Sequence, residues 1–496
     1  MSSVLLIRPL CNQDEPEFAE PLGIERLAGY LRAHGSHDVR LCDRRLFEAE
    51  RHAGKADEQS PGFFNTLEGW YTDSPGPQLV GFSLMTSDDV ADALRVLSRL
   101  RTWWPRATFA AGGMYVTTDP QGAARRFPKD LVLLQGEGEQ QLLALADAAE
   151  NKSGHGAQSQ YLTSFQNTSS AQIALDPNRW EMPLRPNLER YARLGCAVNM
   201  QTSRGCPGAC RFCATPALPN GLNRWRPRDL VLIADELQAE TRRLERAGLP
   251  PIFNFVDDDF GSLARLEALA ELIVERGLHI AFACEMRFSS LASQPSLATR
   301  LARLHERGLT RLFFGLESLD PNTLATWNKP LELEKLPEIL DACKRAGITV
   351  QTGYILWHAS QTVPRARTEV EKLHQLGIYS HRAALSRLIV FPGCALSADG
   401  ADEQGFQSMS RESERFYQNF CAKTAKLTQA WTKAAIAEPY ATAEAFLNRN
   451  HERLEQIKQE LVALNTQSFK LFMEMSTEKE AMRHPSFEKG ARPDSG

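Results

Sequence analysis

The sequence predicts an α/β fold in three parts: a doubly wound parallel sheet, a partial (β/α)6 barrel and a helical C-terminal region. Short apolar runs typical of buried strands alternate with helical periodicity over residues 1–150 and again over residues 196–400, and this alternation favours parallel sheets covered by helices. From residue 401 onward the strand pattern stops and apolar residues recur at helical spacing. Residues 151–195 are predicted to link the two α/β domains, because their first half is rich in Gly, Ser, Gln and Asn.

The composition is that of an ordinary globular protein. The chain has 496 residues, of which 43% are hydrophobic and 24% are charged. A net charge of −4 gives no reason to expect nucleic acid or an anionic membrane as a partner. No apolar stretch is long enough to span a bilayer, and Val4–Ile7 is too short for a signal peptide. Ten cysteines in a chain of this length do not form a disulfide scaffold, so we expect a reducing cytoplasm.

Turns that suit a ligand follow the strands of the first domain. Its strands are predicted near Val4–Ile7, Val39–Leu41, Leu79–Ser83, Ala107–Ala111 and Leu131–Leu134. Ligands bind open α/β sheets at the carboxyl ends of the strands, and glycines there let the backbone approach a ligand closely. The candidate contacts are Ser83, Thr86, Gly112, Gly113, Tyr115, Gly136 and Glu137. The alternative is a scaffold domain without a ligand.

Three cysteines lie in one loop after the first predicted strand of the second domain. Cys206, Cys210 and Cys213 have the spacing Cys-x3-Cys-x2-Cys. Thiolates suit iron–sulfur clusters or zinc. A closed structural zinc site needs about four ligands, and this loop supplies no further thiol or imidazole. A 4Fe–4S cluster held by three thiolates would leave one iron open to a small molecule. Zinc, or cysteines that merely cluster, is the alternative.

Polar residues end the next strands of the predicted barrel. The strands are expected near Val198–Thr202, Ile252–Val256, His279–Cys284, Arg311–Leu316, Thr349–Leu356 and Ser386–Phe391. Barrels of this kind work at the carboxyl ends of their strands. The polar residues found there are Asp257, Asp258, Arg287, Glu317 and Ser318. Carboxylates accept hydrogen bonds from an ammonium group and a guanidinium fits a carboxylate, whereas a helix cap or a surface ion pair is the bland alternative.

The cysteine loop and its lead-in Thr202–Pro207 resemble the cluster loop of the radical S-adenosylmethionine (SAM) enzymes. The likeness extends over about residues 1–400 and is strongest to the branch with an N-terminal cobalamin-binding-type domain, which the turns of the first domain resemble. It implies a 4Fe–4S cluster on the three cysteines and one-electron cleavage of bound SAM to methionine and a 5′-deoxyadenosyl radical.

The same resemblance implies roles for single residues. Phe212 would lie near the adenine, and Asp257 or Asp258 would bind the SAM amine. Arg287 would pair with the SAM carboxylate. Glu317 and Ser318, in the matching stretch Gly315–Ser318, would bind the ribose and the amino acid moiety.

The chain departs from this family after the fifth strand. Relatives often run Phe-Ile-x-Gly-x-Pro-x-x-Thr there, and this chain has Trp357 in place of the glycine. We expect the Trp357 indole to reshape the cavity and, with Tyr115, to restrict the space where cobalt would meet SAM. His358 is a candidate for proton transfer and Cys394 for a redox or hydrogen-donor thiol. The alternatives are a structural histidine and an apolar filler. The Asp-x-His-x-x-Gly motif is absent, so we expect no protein imidazole on cobalt.

The resemblance implies, first, a cobalamin-dependent radical SAM methyltransferase acting on an unactivated carbon of a small metabolite. An electron donor such as flavodoxin or ferredoxin would serve it. The alternative is a cobalamin-free radical dehydratase, epimerase or related rearrangement enzyme, with the first domain as a scaffold. A cluster-bearing sensor without turnover is disfavoured, because a sensor needs no contacts to ribose or amine. Within residues 401–496, the helices are expected either to cap the barrel mouth or to form a dimer interface, and the tail after about residue 476 is predicted to be disordered.

Overall fold

The structure is a computed structural model, and it describes residues 2–11, 19–35, 37–53, 62–150, 174–292, 294–396, 406–448 and 451–477. Most of the predicted linker, residues 151–173, lies outside the described residues, and so does the predicted disordered tail from residue 478.

The first domain is a five-stranded parallel sheet in the order β2-β1-β3-β4-β5. Its strands are β1 (Ser3–Arg8), β2 (Asp38–Asp43), β3 (Leu79–Ser83), β4 (Thr108–Gly112) and β5 (Val132–Leu133). Its helices are α1 (Leu22–His34), α2 (Arg44–His52), α3 (Phe63–Trp70), α4 (Val90–Trp103), α5 (Met114–Thr118), α6 (Pro120–Arg126) and α7 (Glu139–Glu150). Alternate residues of β1 enter two separate apolar cores, one on each face of the sheet. The predicted doubly wound fold is confirmed.

The second domain is a parallel sheet in the order β12-β11-β10-β9-β6. Its strands are β6 (Val198–Met200), the short antiparallel pair β7 (Ser203–Arg204) and β8 (Arg226–Pro227), β9 (Ile252–Phe255), β10 (Ala281–Glu285), β11 (Leu309–Glu317) and β12 (Thr349–Tyr354). Its helices are α8 (Leu188–Arg193), α9 (Leu230–Arg246), α10 (Leu263–Glu275), α11 (Leu297–Glu306), α12 (Pro321–Thr326), α13 (Leu336–Ala346), α14 (Val363–Gln375) and α15 (His381–Leu385). The predicted sixth strand is reduced to one parallel bridge between Trp357 and Arg387, because Ile389 pairs with Phe406 instead.

The register of the barrel strands places side chains in rows on its inner face, which we call the lumen. Asn199, Asn254, Ala283 and Arg311 are paired across neighbouring strands and form one such row. Residues at alternating positions, such as Phe314, are fully buried under the helices instead. The lumen is therefore polar while the outer face of the sheet is apolar.

A buried ion cluster joins the two α/β domains. The guanidinium of Arg185 contacts Glu20 of the first domain and lies 3.3 Å from Glu236 of the second. Arg26 of α1 lies 3.1 Å from the same Glu236 carboxylate. Burial alone would raise the pKa of Glu236, but the surrounding arginines lower it to about 2. Removing either sign would leave an uncompensated buried charge, so the cluster fixes the two α/β domains against each other.

The C-terminal region is a pair of helices, α16 (Arg411–Asn448) and α17 (Glu452–Thr477), packed on each other. Tyr440 and Ala443 of α16 pack against Ile252 and Ala281, at the amino ends of the barrel strands. The predicted cap over the barrel mouth is wrong for this part of α16, because the mouth lies at the carboxyl ends. No helix within the described ranges is long and apolar enough to cross a membrane.

The expectation that Trp357 reshapes the cavity is also wrong. Its indole is fully buried, and its N–H donates to the carbonyl of Ala384 at 2.8 Å. The ring packs against Phe416, Tyr417 and Phe472 of the C-terminal helices. A large apolar ring gains more from burial between packed elements than from lining a polar lumen, and the C-terminal helices supply that site.

Candidate cofactor site between the two sheets

A cavity of about 340 Å³ lies between the carboxyl edge of the first sheet and the cysteine-loop side of the barrel. The first domain lines it with three turns, at Ser83–Met85, Gly112–Met114 and Gly136–Glu139. The barrel lines the opposite side with residues that include Arg204, Gly205 and Asp258. Two features that are far apart in the sequence, the glycine-containing turns and the segment that leads into the cysteine loop, therefore meet at one site.

Glycine is required where two of these turns pack together. Gly113 has a φ of 102°, and a Cβ there would clash with the backbone of Leu84. A Cβ on Gly112 would lie 3.1 Å from the carbonyl oxygen of Leu134. By contrast, a Cβ on Gly23, which also lines the cavity, would meet nothing within 4 Å. Backbone-to-backbone packing of the turns thus leaves open space at the sheet edge, as a bulky ligand needs.

Charged groups bridge the two sides of this cavity. Glu137 accepts hydrogen bonds from Arg226 at 2.5 Å and from the Leu175 N–H at 2.6 Å. Burial alone would raise the pKa of Glu137, but Arg204 and Arg226 hold it below its usual value. Glu139 accepts a hydrogen bond from Arg204 at 2.8 Å through Oε1. Its Oε2 is buried at the cavity wall without a hydrogen-bond partner among the described residues. A ligand with amide N–H donors would satisfy that oxygen.

Two of the three cysteines lie beside a glycine in their loop. A Cβ on Gly208 would lie 3.3 Å from the sulfur of Cys206 and 3.8 Å from that of Cys210. The Gly208 N–H donates to Cys206 at 3.3 Å, and the Thr215 N–H donates to Cys213 at 3.4 Å. In the part of the chain that the structure describes, no three His, Cys, Asp or Glu side chains converge on a single metal ion. Because the loop supplies three thiols and no fourth thiol or imidazole, its ligand set suits a 4Fe–4S cluster better than a closed structural zinc site.

The two neighbouring aspartates of the second barrel strand have different positions. Asp257 is buried and accepts hydrogen bonds from the N–H groups of Thr202 and Ser203, at 2.7 and 2.8 Å, just before the cysteine loop. Burial raises the pKa of Asp257 to about 7. Asp258 instead lines the cavity and accepts a hydrogen bond from the Gly205 N–H at 3.2 Å. Asp257 anchors the start of the loop, while Asp258 remains available to a ligand.

Glu317, at the end of β11, has a strained backbone. Its φ is 65°, which a residue with a side chain rarely adopts. The carboxylate lies 3.1 Å from the ammonium of Lys329. A Cβ on Gly315 would overlap this ion pair, and a Cβ on Gly353 would lie 3.5 Å from both carboxylate oxygens. Glu317 therefore folds back over two glycines at the mouth of the lumen.

Comparison with known proteins places these observations in a family. Residues 200–359 match the model of the Radical SAM superfamily. This chain contains a radical SAM domain. The Hopanoid C-3 methylase of Methylococcus capsulatus (strain ATCC 33009 / NCIMB 11132 / Bath) is 25% identical over 353 residues, which are 68% of this chain and 61% of that protein. The chain thus spans about three fifths of the length of that relative.

Two solved structures have a similar overall fold. The cobalamin-dependent S-adenosylmethionine radical enzyme OxsB with aqua-cobalamin bound aligns with a TM-score of 0.70 at 14% identity, over 97% of this chain and 74% of that one. The radical S-adenosylmethionine methyltransferase TsrM from Kitasatospora setae, with cobalamin and [4Fe-4S] cluster bound, aligns with a TM-score of 0.59 at 18% identity, over 80% and 78%. At these identities the likeness shows the fold: a parallel sheet, then a radical SAM domain, then a C-terminal helical region.

Several residues predicted to bind a cofactor lie away from the cavity. Arg287, near the radical SAM loop, donates through Nε to Asp259 at 2.7 Å, and its side chain is 41% exposed. Tyr115 is buried in a core of the first domain, and the Thr86 hydroxyl caps the 3-10 turn Ser87–Asp89. Ser318 is fully buried and donates to Glu369 at 2.8 Å.

The two candidate catalytic residues of the radical SAM domain meet around one tryptophan. Trp327 contacts the rings of Phe212 and His358 and shares an apolar cluster with Cys394. His358 is 4% exposed, and burial lowers its pKa to about 4. The ring is therefore neutral near pH 7, and its Nδ1 lies 3.1 Å from the Ser360 hydroxyl.

Three charged residues of the cavity escaped sequence reasoning. Glu139 lies in the turn of Gly136 and Glu137, and Arg204 lies in the lead-in Thr202–Pro207, but neither was singled out as a contact, although a charge beside a glycine is a usable signal for both. Arg226 has no such signal, because only the β7–β8 pairing brings it beside Arg204.

Proposed function

We propose that this protein is a cobalamin-dependent radical SAM methyltransferase that acts on an unactivated carbon of a small polar metabolite. The observation that carries the proposal is one cavity in which the glycine-containing turns of the first domain face the cysteine-loop side of the barrel. A methyl carrier and a radical generator must both reach one substrate carbon, and this arrangement brings their proposed sites together. The relative and the solved structures support the proposal through the activities and cofactors in their names.

Each cofactor has a set of residues that would hold it. Cys206, Cys210 and Cys213 would hold a 4Fe–4S cluster, which supplies an electron to SAM when bound. Asp258, Glu317 and Arg287 would bind the charged groups of SAM. The turns of the first domain, with Glu139 Oε2, would hold cobalamin, which supplies the methyl group and carries amide donors around its ring. A one-electron donor such as flavodoxin or ferredoxin is part of the proposal.

Residues of the chain itself would orient the cofactors and limit proton transfer at the site. Asp257 fixes the start of the cysteine loop through two backbone N–H groups. The Lys329 ammonium lies 3.1 Å from the Glu317 carboxylate and holds it at the mouth of the lumen. His358 is neutral and buried, which makes it a poor proton donor at neutral pH.

The lumen supports a polar substrate. Arg311 reaches across Ala283 to the side-chain oxygen of Asn254 at 3.2 Å, and it also donates to Gln351 at 3.2 Å. A second cavity, of about 160 Å³, lies beside this row and is floored by α16. Walls of amides and a guanidinium offer hydrogen-bonding groups to a polar ligand and little apolar surface to a lipid. The lumen therefore favours a polar substrate over a lipid such as the hopanoid named for the Methylococcus capsulatus relative.

The proposal is tested with protein reconstituted anaerobically with iron, sulfide and hydroxocobalamin. The protein receives SAM with a deuterated methyl group, a reductant and the protein-free small-molecule fraction of a bacterial extract. We expect S-adenosylhomocysteine, 5′-deoxyadenosine and a polar product that carries the deuterated methyl group. The Cys206→Ala variant is the matched control and should give none of these products.

A second candidate is a cobalamin-dependent radical enzyme that transfers no methyl group. The observation in its favour is the fold likeness to OxsB, whose description names a radical enzyme without naming methyl transfer. Production of 5′-deoxyadenosine without S-adenosylhomocysteine would select this candidate. The same outcome in protein that takes up no cobalamin would select the cobalamin-free dehydratase or epimerase instead.

A further inference from the structure

A buried carboxylate behind the barrel holds the end of β11 from outside. Glu369, on α14, is 4% exposed and accepts four hydrogen bonds. Its Oε2 accepts from the Ser318 hydroxyl at 2.8 Å, from the Leu319 N–H at 3.0 Å and from the Tyr354 hydroxyl. Its Oε1 accepts from the Gln361 amide at 2.8 Å. One carboxylate thus ties together the ends of β11 and β12 and the turn before α14.

These bonds begin one residue after Glu317, the strained residue of the SAM side of the barrel. The β11–β12 pairing shifts register between Gly315 and Glu317, and the Ile355 N–H donates to the Glu317 carbonyl at 2.8 Å. A left-handed backbone is unfavourable at a residue with a side chain, so it persists only where the surrounding contacts hold it in place. The hydrogen bonds from Ser318 and Leu319 to Glu369 hold the backbone just after Glu317 from the outer side of the barrel.

We propose that Glu369 is a positioning residue for Glu317. By fixing residues 318 and 319, it holds Glu317 in the left-handed conformation that directs its carboxylate over Gly315 and toward the mouth of the lumen. Glu369 itself is buried, and the contacts of its carboxylate are with Ser318, Leu319, Tyr354 and Gln361. The inference rests on the proposed function in one respect, namely that Glu317 binds SAM.

The geometry also explains why Ser318 does not face the lumen. The Ser318 hydroxyl points outward, where it donates to Glu369 at 2.8 Å and accepts from the Asp320 N–H at 3.0 Å. Asp320 is the residue immediately before α12. Replacing Glu369 by alanine would remove the acceptor of four buried or partly buried donors at once. Glutamine would keep the shape but lose one acceptor, because its NH2 group must face one of the donors.

The experiment measures SAM binding to anaerobically reconstituted full-length protein by equilibrium dialysis, together with iron content. The variants are Glu369→Ala, Glu369→Gln, Glu317→Ala and the double variant Glu369→Ala/Glu317→Ala. We expect Glu369→Ala to weaken SAM binding at least tenfold with iron content unchanged. In the Glu317→Ala background the same change should have no further effect, because Glu369 acts through Glu317. Glu371→Ala is the matched control on the same helix, since Glu371 is 40% exposed and pairs only with Arg367 at 3.1 Å.

Additive losses in the double variant, or unchanged SAM binding in Glu369→Ala, would overturn the inference. If Glu369→Ala does not retain iron, Glu369→Gln takes its place in the cycle, with an expected loss of about threefold, and Tyr354→Phe removes a single donor as a milder test. If the proposed function is wrong, the wild-type protein will bind no SAM. If the wild type and every Glu369 variant bind SAM equally well, the positioning role alone is refuted.

Discussion

Replacing Arg204 by methionine should loosen the cofactor cavity without removing the cluster. Arg204 stands two residues before Cys206, and its guanidinium contacts Glu139 at 2.8 Å and Glu137 at 3.3 Å. Glu137 keeps Arg226 as a partner in the variant, so Glu139 alone loses its cation. Breaking a buried pair costs about 3–5 kcal/mol, and we take about 3 kcal/mol because the Arg204 side chain is 18% exposed.

Part of this cost should appear as weaker binding of cobalamin. Arg204 holds Glu139 with Oε2 on the cavity wall, and in the variant the ligand must orient that carboxylate itself. If half of the cost is lost from binding, about 1.5 kcal/mol, the dissociation constant for hydroxocobalamin should rise roughly tenfold. At a ligand concentration of about 100 times the wild-type dissociation constant, the ligand-dependent stabilisation should fall from about 2.7 to about 1.4 kcal/mol.

The assay is titration of the cluster-loaded protein with hydroxocobalamin, followed by the visible spectrum and by the unfolding midpoint. Arg276→Met is the matched control, because Arg276 pairs at 2.5 Å with Asp235, which is 57% exposed and far from the cavity. An Arg204→Met protein that binds hydroxocobalamin as tightly as the wild type would refute the reasoning.

Three further predictions concern stability and the cluster. Gly29→Ala should lower the free energy of unfolding by about 1–3 kcal/mol, because the added Cβ would clash with the backbone of the segment before the barrel, whereas Gly69→Ala in α3 should be neutral or slightly stabilising. Burial lowers the pKa of His381 to about 4 from 6.5, so the unfolded chain takes up the proton first. The contribution of His381 to the free energy of unfolding should therefore fall by roughly 3 kcal/mol as pH drops from about 6.5 to about 4. The difference in unfolding free energy between the wild type and His381→Gln should change by that amount in denaturant titrations at successive pH values. Cys394→Ala should keep full iron content after reconstitution while Cys206→Ala loses it, and equal iron content in the two would contradict the assignment of the cluster.

The architecture followed from periodicity, because strands and helices in a doubly wound sheet bury residues at spacings that a sequence displays. Val4–Ile7 and Leu79–Ser83 read as buried strands and are buried strands. The sixth barrel strand could not be predicted in this way. Ile389 pairs with Phe406, which lies later in the chain, and not with the fifth strand.

The candidate site was predictable where residues are close in sequence and not where they meet through packing. The cysteine spacing and the glycine turns indicated one site each, but the charges that bridge them come from three separate segments. Trp357 and Ser318 stand in motif positions, yet both turn outward, because the C-terminal helices supply an apolar bed for the indole and Glu369 supplies an acceptor for the hydroxyl. Such partners lie 50 or more residues away and have no local signal.

The cofactor content of one preparation tests the central claim most directly. Full-length protein is reconstituted anaerobically with iron, sulfide and hydroxocobalamin, separated from unbound cofactor and analysed for metals. The account predicts about four irons and about one cobalt per chain, with the iron lost and the cobalt retained in the Cys206→Ala/Cys210→Ala/Cys213→Ala variant. A protein that holds about four irons and no cobalt would contradict the account, because the cavity between the two sheets would then hold no methyl carrier.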